Sequence, residues 1–159
     1  MIGLFDELRD SLFRYSLAFR LPPHDCEDVI QEVFLALFKH LQQGRSRRNL
    51  RGWIFRVTHN LALKRCYDSR RQQQQVDSTP ASEPADIAPN AEEQLVLNER
   101  RLRLISVFDA LPDEDRYCLR LRAEGLRYRE IAEVLGISLG SVSQYLTRSL
   151  ARLARADGR

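Results

Sequence analysis

Near the C-terminal end of the sequence, five polar or basic side chains recur three or four residues apart, the spacing of one helical face. They are Ser141, Gln144, Arg148, Arg152 and Arg155. Amide and hydroxyl groups can form hydrogen bonds with base edges, and arginine can bind bases or phosphates. No acidic residue belongs to this set. The pattern indicates a cationic face suited to nucleic acid, although a solvated basic helix would show the same spacing.

The segment 126–155 supplies the support that such a face needs. Its apolar spacing predicts two short helices, with Gly136 at the corner and the small Ala132 where the helices approach each other. The second helix would turn inward Val142, Leu146, Ser149 and Leu153. We therefore predict a helix-turn-helix whose second helix can enter the DNA major groove, with an ordinary helical hairpin as the alternative.

The composition excludes several classes of protein. The chain has 159 residues, a net charge of +3 and 43% apolar residues, which suits one or two small domains in water. It has no apolar run of about 20 residues and an acidic start, so we expect no membrane insertion and a cytoplasmic location. Three distant cysteines without a C-x-x-C pair predict reduced thiols, and the three histidines are scattered. We expect no metal, no cofactor and no catalytic activity.

Charge and periodicity divide the chain into two helical blocks. The net charge is +4 over residues 1–67, −4 over 68–94 and +3 over 95–159. The middle segment has no periodicity and contains four consecutive Gln and three Pro, which is typical of a flexible linker. A linker of about 25 residues has a relaxed span of roughly 25 to 30 Å and a maximum of about 80 Å. The predicted fold is all-α, with two small helical domains joined by this linker.

The front block, residues 1–67, contains three amphipathic patterns. The first ends before Pro22, and the second begins with Asp25 as its N-cap and stops near Gln43. The third follows Asn49 and ends at about Tyr67. The predicted apolar residues of these helices are Leu4, Phe5, Leu8, Leu12, Tyr15, Phe19, Ile30, Val33, Phe34, Leu37, Phe38, Leu41, Leu50, Ile54, Val57 and Leu61.

The rear block, residues 95–159, begins with two further helices before the helix-turn-helix. The apolar stripe of the first comprises Leu95, Leu102, Ile105 and Phe108. Pro112 opens the next helix, and its first turn holds Asp113, Glu114 and Asp115, where acids favour the helix dipole. Gly125 ends it. We expect this helix to support the helix-turn-helix.

Two polar faces of the front block are candidate binding surfaces. One face of the second helix carries Asp28, Gln31, Glu32 and Leu35. It is either a solvated surface or a docking face, and the exposed Leu among acids hints at docking. One edge of the third helix carries Trp53, Arg56, Asn60 and Lys64. An unpaired base can stack on the aromatic ring, the two cations can bind phosphates, and the amide can form hydrogen bonds with a base edge. The alternative is a core Trp with ordinary solvated neighbours.

Three stretches together resemble the bacterial RNA polymerase sigma factors of the extracytoplasmic-function (ECF) type, within the sigma-70 family. EDVIQEVFLALFKHL (27–41) and LRGWIFRVTHNLALKRCYDSRR (50–71) are similar to the family's region 2. LPDEDRYCLRLRAEGLRYREIAEVLGISLGSVSQYLTRSLARL (111–153) is similar to region 4. The order is that of the family, and the pair of motifs is far more specific than either alone.

The resemblance implies a role for each surface. The face of Asp28, Gln31, Glu32 and Leu35 would dock on the clamp helices of the largest subunit of core RNA polymerase. The edge of Trp53, Arg56, Asn60 and Lys64 would melt the −10 promoter element and bind it as single strand. The −35 element would be recognised as duplex DNA by Ser141, Gln144, Tyr145, Arg148, Arg152 and Arg155. The resemblance also implies an anti-sigma factor as a partner.

The sequence departs from the family pattern at the start of the recognition helix. The family usually has Gly-Thr-Val followed by Lys or Arg, whereas this chain has Gly140, Ser141 and Val142 followed by Ser143. This lowers the local positive charge and leaves the upstream sequence preference open. The main rival hypothesis is an autonomous regulator that binds palindromic DNA as a dimer. A small hydrolase or nuclease lacks any paired carboxylate or His constellation in this sequence.

Overall fold

The structure is a computed structural model that describes residues 2–44, 48–73 and 91–158. Within these ranges the chain forms α-helices and no β-strand, which confirms the predicted all-helical fold. The helices are α1 (Ile2–Leu17), α2 (Pro23–Gln42), α3 (Leu50–Gln73), α4 (Ala91–Ala110), α5 (Asp113–Ala123), α6 (Tyr128–Leu135) and α7 (Leu139–Ala156). None of these described helices is both long and apolar enough to cross a membrane.

Some helix boundaries follow the predicted signals and others do not. Gly136 has a φ of 68° and ends α6 in the left-handed conformation, as predicted, because only a residue without a Cβ adopts it freely. The prediction that Asp25 is the N-cap of α2 was wrong, because the helix already begins at Pro23. Proline suits the first helical turn because its missing N–H would have no intrahelical partner there.

The predicted linker is too long at both ends. Helix α3 continues past Tyr67 to Gln73, and α4 begins at Ala91 instead of Leu95. The apolar stripe of α3 stops near Tyr67, but residues 68–73 contain no Gly or Pro and include Arg and Gln, which favour helix. The helix therefore persists without an apolar face. The rest of the predicted linker, residues 74–90, lies outside the described residues.

Helices α1, α2 and α3 pack into a front block whose core largely follows the predicted stripes. Leu12, Tyr15 and Val33 are completely buried, and Ile30 nearly so. Phe38 is an exception, since 60% of it is exposed. At 100° per residue it lies about 80° around α2 from Ile30, at the edge of the apolar stripe and outside the core.

Helix α3 is buried more widely than its predicted stripe. Ile54 is buried as expected, but Leu50, Val57 and Leu61 are only half-buried. The buried α3 positions that the stripe did not include are Phe55, Thr58, His59 and Ala62. The Phe55 and His59 rings pack on Tyr15 of α1, and His59 also packs on Tyr117 of α5 in the rear block. Helix α3 is in contact with α6 of the rear block as well. A pattern of one apolar stripe cannot show this second covered face.

The rear block consists of α5, α6 and α7 packed together, with α4 lying against α7. Its core comprises Leu121, Leu126, Ile131, Val134, Val142 and Leu146. The predicted inward stripe of the recognition helix α7 is confirmed, because Val142 and Ser149 are completely buried and Leu153 is half-buried. The second helix of the predicted helix-turn-helix therefore presents its opposite face outward.

The predicted apolar stripe of α4 is not a core stripe. Leu95, Leu102 and Ile105 are 61%, 65% and 43% exposed. Helix α4 packs on α7, and Leu104, Ile105 and Phe108 line a groove together with Leu150 and Leu153 of α7. Among the described helices α4 contacts mainly α7, so Leu95 and Leu102 stay uncovered.

The front and rear blocks are in direct contact. The Phe19 and Tyr117 rings stack with their centroids 4.6 Å apart, and Arg14 donates two hydrogen bonds to the Glu124 carboxylate at 2.8 and 2.9 Å. The Asn49 side-chain amide donates a hydrogen bond of 2.9 Å to Glu133 of α6. The two blocks therefore form a closed arrangement.

Candidate nucleic-acid interface

The N-terminus of the recognition helix α7 is fixed by a serine cap that the sequence analysis did not identify. The Ser138 hydroxyl accepts a hydrogen bond of 3.1 Å from the Ser141 backbone N–H. The same hydroxyl donates to the Ser141 side chain at 2.9 Å. Ser141 is half-buried and shares its hydroxyl with this cap. The cap gives α7 a defined start, where residues of a recognition helix contact base edges.

The outer face of α7 is a basic surface close to the one predicted. Gln144, Arg148, Arg152 and Arg155 are exposed. Tyr145 lies on the same side and is half-buried. Since the opposite face of α7 is buried, these side chains have a rigid support and access to a partner outside the protein.

Arg148 has a partner that the sequence analysis did not predict. The Asp115 carboxylate on α5 accepts two hydrogen bonds from its guanidinium, from Nε at 2.8 Å and from Nη2 at 2.6 Å. On its other side the Arg148 guanidinium lies over the Tyr145 ring, 4.8 Å from the centroid. A hydrogen bond to Glu114 raises the pKa of the Tyr145 hydroxyl. Two neighbouring acids of α5 thus hold two neighbouring side chains of the recognition face.

The predicted edge of α3 divides into an exposed part and a packed part. Arg56, Asn60 and Lys64 are exposed. Trp53 is half-buried, and its ring lies 4.3 Å from the His40 ring of α2. The ring is therefore braced by the front block while part of it stays at the surface beside the two cations and the amide.

The residue before Asn60 belongs to a buried polar pair. Tyr15 and His59 are joined by a hydrogen bond of 2.6 Å between the Tyr15 hydroxyl and His59 Nδ1. Desolvation lowers the pKa of His59 to about 4, so the imidazole is neutral and can accept this hydrogen bond. The His59 ring also packs against Phe19 and Tyr117. The residue before Asn60 is thereby anchored in the core.

The predicted docking face of α2 is exposed, but an arginine of α3 partly neutralises it. Asp28, Gln31, Glu32 and Leu35 are all exposed. One guanidinium, that of Arg65, lies 3.5 Å from the carboxylates of Asp25 and Asp28 and 3.3 Å from that of Glu32. The prediction did not include Arg65. Because its positive charge lies beside these carboxylates, the α2 face is less negative than the sequence pattern suggested.

The cysteines and histidines of the described residues do not form a metal site, since no three metal-ligating side chains gather there. All three cysteines are free, as predicted. Burial raises the pKa of Cys26 to about 11 and that of Cys118 to about 12, which keeps both thiols protonated and unreactive at neutral pH.

Two family models match the chain, one in each block. Sigma-70 region 2 matches residues 4–74, and sigma-70 region 4 matches residues 101–153. These two matches, together with the relatives described below, show that the chain belongs to the sigma-70 family of RNA polymerase sigma factors.

The relatives belong to the ECF branch of that family. The chain is 33% identical over 144 residues to the ECF RNA polymerase sigma factor SigE of Mycolicibacterium smegmatis, covering 87% of this chain but only 55% of SigE. It is 28% identical over 152 residues to the RNA polymerase sigma factor CnrH of Cupriavidus metallidurans, covering 91% of this chain and 79% of CnrH. The chain therefore spans about half the length of SigE and most of CnrH.

Two solved structures share the fold. CnrH in complex with the cytosolic domain of CnrY has a TM-score of 0.65 at 25% identity, covering 96% of this chain and 84% of that chain. The sigma factor RpoE in complex with the anti-sigma factor NepR, from Bartonella quintana, has a TM-score of 0.69 at 17% identity, covering 94% and 91%. The likeness extends over both blocks.

Proposed function

We propose that the chain is a sigma factor that binds core RNA polymerase and directs initiation at specific promoters, while the polymerase carries out nucleotide chemistry. One observation carries this proposal: two separate exposed faces suited to nucleic acid lie in one chain, on α3 and α7. A regulator that only binds duplex DNA needs a single recognition helix per protomer. The family membership supports the same function.

The α7 face is proposed to recognise the −35 element as duplex DNA. The helix is capped at its start, rigidly packed on one side, and exposes Gln144, Arg148 and Arg152 on the other. Gln144 lies nearer the N-terminus and suits a bidentate contact to adenine. Arg152 and Arg155 lie two or more turns further along, where the helix leaves the groove and arginine contacts phosphate.

The α3 edge is proposed to bind the −10 element as a melted strand. Its exposed Asn60 can form hydrogen bonds with the edge of one unpaired base, and Arg56 and Lys64 can bind the backbone on either side. The half-buried Trp53 ring offers a face on which a base can stack. A fixed amide beside an aromatic ring is suited to a base that has left the duplex stack.

The α2 face is proposed to dock on the clamp helices of the largest polymerase subunit. It combines the carboxylates of Asp28 and Glu32 with Leu35, which is 62% exposed. Exposed acids around an apolar side chain suit a basic partner surface with an apolar contact at its centre. Arg65 would have to release the two carboxylates, or share them, when the partner binds.

Promoter binding requires the closed arrangement to open. Helix α3 packs on α6, which packs on α7, so two packing distances of 8 to 10 Å put the α3 and α7 axes at most about 20 Å apart. The two promoter elements lie on the order of 60 Å apart at 3.4 Å per base pair. The front and rear blocks would therefore separate when the chain binds a promoter.

An anti-sigma factor is proposed as a second protein partner. CnrH and RpoE, which share the fold over both blocks, were solved in complex with the cytosolic domain of CnrY and with the anti-sigma factor NepR. A partner of this kind would keep the sigma factor away from polymerase until it is needed. Polymerase and promoter DNA together imply that the protein acts in the cytoplasm.

Gel filtration with core RNA polymerase tests the proposed function. The purified chain should co-migrate with core polymerase, and the mixture should start transcripts from particular genomic fragments that core polymerase alone does not transcribe. If the chain ignores core polymerase and binds palindromic duplex DNA as a dimer, it is an autonomous regulator instead.

A further inference from the structure

We propose that Asp115 of α5 is a positioning residue that fixes Arg148 for one guanine of the −35 element. The inference rests on the proposed function of α7 and adds a residue that lies outside the helix-turn-helix. Asp115 itself touches no DNA in this proposal. It acts by orienting the guanidinium that does.

The geometry around Asp115 is that of a buried clamp. Its side chain is completely buried, and both carboxylate oxygens are used. Oδ1 accepts from Arg148 Nη2 at 2.6 Å, while Oδ2 accepts from Arg148 Nε and from the Ser149 hydroxyl, both at 2.8 Å. Burial alone would raise the pKa of Asp115, but the hydrogen bonds from Arg148 and Ser149 and the charges of Arg148 and Arg152 together lower it. The carboxylate therefore stays ionised at neutral pH.

The clamp leaves the outer end of Arg148 available. A guanidinium has five N–H donors in a rigid planar fork, and Asp115 uses the edge formed by Nε and Nη2. In the described part of the chain no hydrogen bond uses Nη1 of Arg148, and 43% of its side chain is exposed. The end edge, formed by Nη1 and the second N–H of Nη2, can donate two parallel hydrogen bonds. Guanine O6 and N7 accept such a pair in the major groove.

The clamp also decides between two roles for Arg148. A phosphate contact carries no sequence information, and much of its strength comes from the net charge of the side chain. Here the charge is offset by a buried carboxylate, while Asp115 and the Tyr145 ring restrict the side chain from two sides. A restricted, partly neutralised arginine gains little from general attraction to DNA, but its rotamer is already set for one base. Arg148 is therefore assigned to base recognition.

The test uses holoenzyme assembled from the full chain and the core polymerase of its source bacterium. The probe is a panel of duplex promoters derived from a genomic fragment that wild-type holoenzyme selects, in which every upstream base pair is changed singly. Binding is measured for wild type, Asp115→Asn, Arg148→Lys, the double variant and Ser149→Ala. The control is Asp113→Asn, which removes a carboxylate from the same turn of α5 that pairs with Arg116 and not with α7.

Arg148→Lys and Asp115→Asn should both lose preference at the same G·C pair, by about 5- to 150-fold, the range that one bidentate base contact supplies. The double variant should lose no more than Arg148→Lys alone. Ser149→Ala should lose less at that same pair, and the control should match wild type at every position. Affinity for DNA altered at this pair should hold or rise in Asp115→Asn, since a negative charge near the DNA is gone.

Three results would overturn the inference. If Asp115→Asn folds and keeps every preference while Arg148→Lys loses one, Arg148 needs no positioning. A uniform loss across all upstream positions in Asp115→Asn or Ser149→Ala means that the clamp only joins α5 to α7. Unchanged preferences in Arg148→Lys remove Arg148 from base recognition. If wild-type holoenzyme shows no preference at any upstream position, the proposed −35 function of α7 itself fails.

Discussion

Asn60 is directed outward by the residue that precedes it. His59 is buried, is hydrogen-bonded to Tyr15 and packs against two further rings, so it fixes the rotation of α3 about its axis. Asn60, one residue later, then has to lie on the exposed edge. Its position depends on the core and not on its own contacts, so Asn60 can be replaced without loss of the fold.

Asn60→Ala should remove the preference at a single position of the −10 element. One lost bidentate contact to an unpaired base corresponds to about 1 to 3 kcal/mol of discrimination. The measurement is holoenzyme binding to a panel of single-base variants of the melted strand, with gel filtration to show that core binding is normal. Lys64→Ala is the matched control, and it should weaken all sequences alike. An Asn60→Ala protein with wild-type preference at every −10 position would remove Asn60 from this role.

Gln144 and Arg152 should differ in kind when each is replaced by Ala. Gln144→Ala should change which base is preferred at one −35 position by about 1 to 3 kcal/mol and leave the salt dependence nearly unchanged. Arg152→Ala should weaken binding to all sequences and lower the salt slope by roughly one ion. Both are measured with holoenzyme on −35 variants at several salt concentrations. The reverse pattern would mean that α7 docks in the opposite orientation.

At the scale of residues, exposure could be predicted from the sequence, but tertiary partners could not. The 3.6-residue period fixes the direction of each side chain, so the exposed Gln144, Asn60 and Glu32 follow from spacing alone. Asp115 is one of three successive acids at the start of α5, and there it suggests only a favourable interaction with the helix dipole. Its contact with Arg148 joins residues 33 positions apart and depends on how α5 packs on α7.

The exposed acidic side of α2 forms ion pairs with a neighbouring helix. Arg65 of α3 lies within 3.3 to 3.5 Å of carboxylates on three successive turns of its acidic side. Such half-exposed ion pairs contribute little to stability, typically up to about 1 kcal/mol each. The acids of α2 therefore remain available to a partner that offers a larger basic surface.

Replacing Asp28 and Glu32 of α2 by Asn and Gln should weaken binding to core polymerase without unfolding the front block. Exposed changes of this kind usually cost under about 0.5 kcal/mol of stability, whereas they remove the charge complementarity to a basic partner. Affinity for core polymerase is measured by titration, and the free energy of unfolding by urea denaturation. Arg65→Ala is the control, which frees the same acids and should keep or strengthen binding. Equal affinities in all variants would mean that the face is only solvated helix.

Because the His59 imidazole on α3 is buried, the protein should become less stable as the pH falls from 7 to 5. The pKa of His59 is about 4 in the folded protein and about 6.5 in the unfolded chain, so between these values the unfolded chain binds more protons. Folding is therefore disfavoured as the pH falls, by about 2 kcal/mol at pH 5 relative to pH 7. The change is measured by urea denaturation at each pH.

The His59→Gln variant should lose most of this dependence, because glutamine offers Tyr15 an acceptor but does not take up a proton. His24→Gln is the control, since it removes an imidazole whose side chain is 76% exposed. The window from pH 7 to 5 lies mostly above the titration of the unfolded carboxyl groups, so the lowered pKa values of Asp115 and Glu124 contribute little there. An identical pH dependence in His59→Gln would place the effect elsewhere.

At the scale of helices, the sequence predicts which segments form helices better than it predicts which helices contact one another. Gly136 and the prolines mark real boundaries because their backbone restrictions act locally. The apolar stripes of α3 and α4 were misjudged because burial depends on the neighbours. Among the described helices, α3 contacts α1, α2 and α6, whereas α4 contacts mainly α7. No local pattern contains that information.

For the whole molecule, the contact between the two blocks holds the proposed nucleic-acid faces too close together for a promoter. The contact includes the Phe19 and Tyr117 stack and the ion pair of Arg14 with Glu124. Burial by itself would raise the pKa of Glu124, but the hydrogen bonds from Arg14 and Ser11 and the charges of Arg14 and Arg51 lower it. The pair is therefore charged at neutral pH and favours the closed arrangement. The sequence predicted two blocks and not this contact, which brings together residues 110 positions apart.

Glu124→Ala should shift the chain toward an open arrangement. It removes the acceptor of two hydrogen bonds from Arg14 across the block boundary. The radius of gyration, measured by small-angle X-ray scattering, should rise above the roughly 15 Å of a compact chain of this length. Arg100→Ala is the control, because its partner Asp157 lies in the same block. A radius equal to that of wild type, or the same rise in the control, would mean that the ion pair does not hold the blocks together.

Promoter melting by the reconstituted holoenzyme is the most direct measurement of a sigma-factor function. The chain is mixed with core polymerase on a genomic fragment that the holoenzyme selects, and unpaired thymines are mapped by their reactivity with permanganate. Reactive thymines should appear in the −10 element only when both chain and core polymerase are present, and they should disappear when the −35 element is replaced. If no thymine becomes reactive while the chain alone protects the same DNA as a dimer, the chain does not function as a sigma factor.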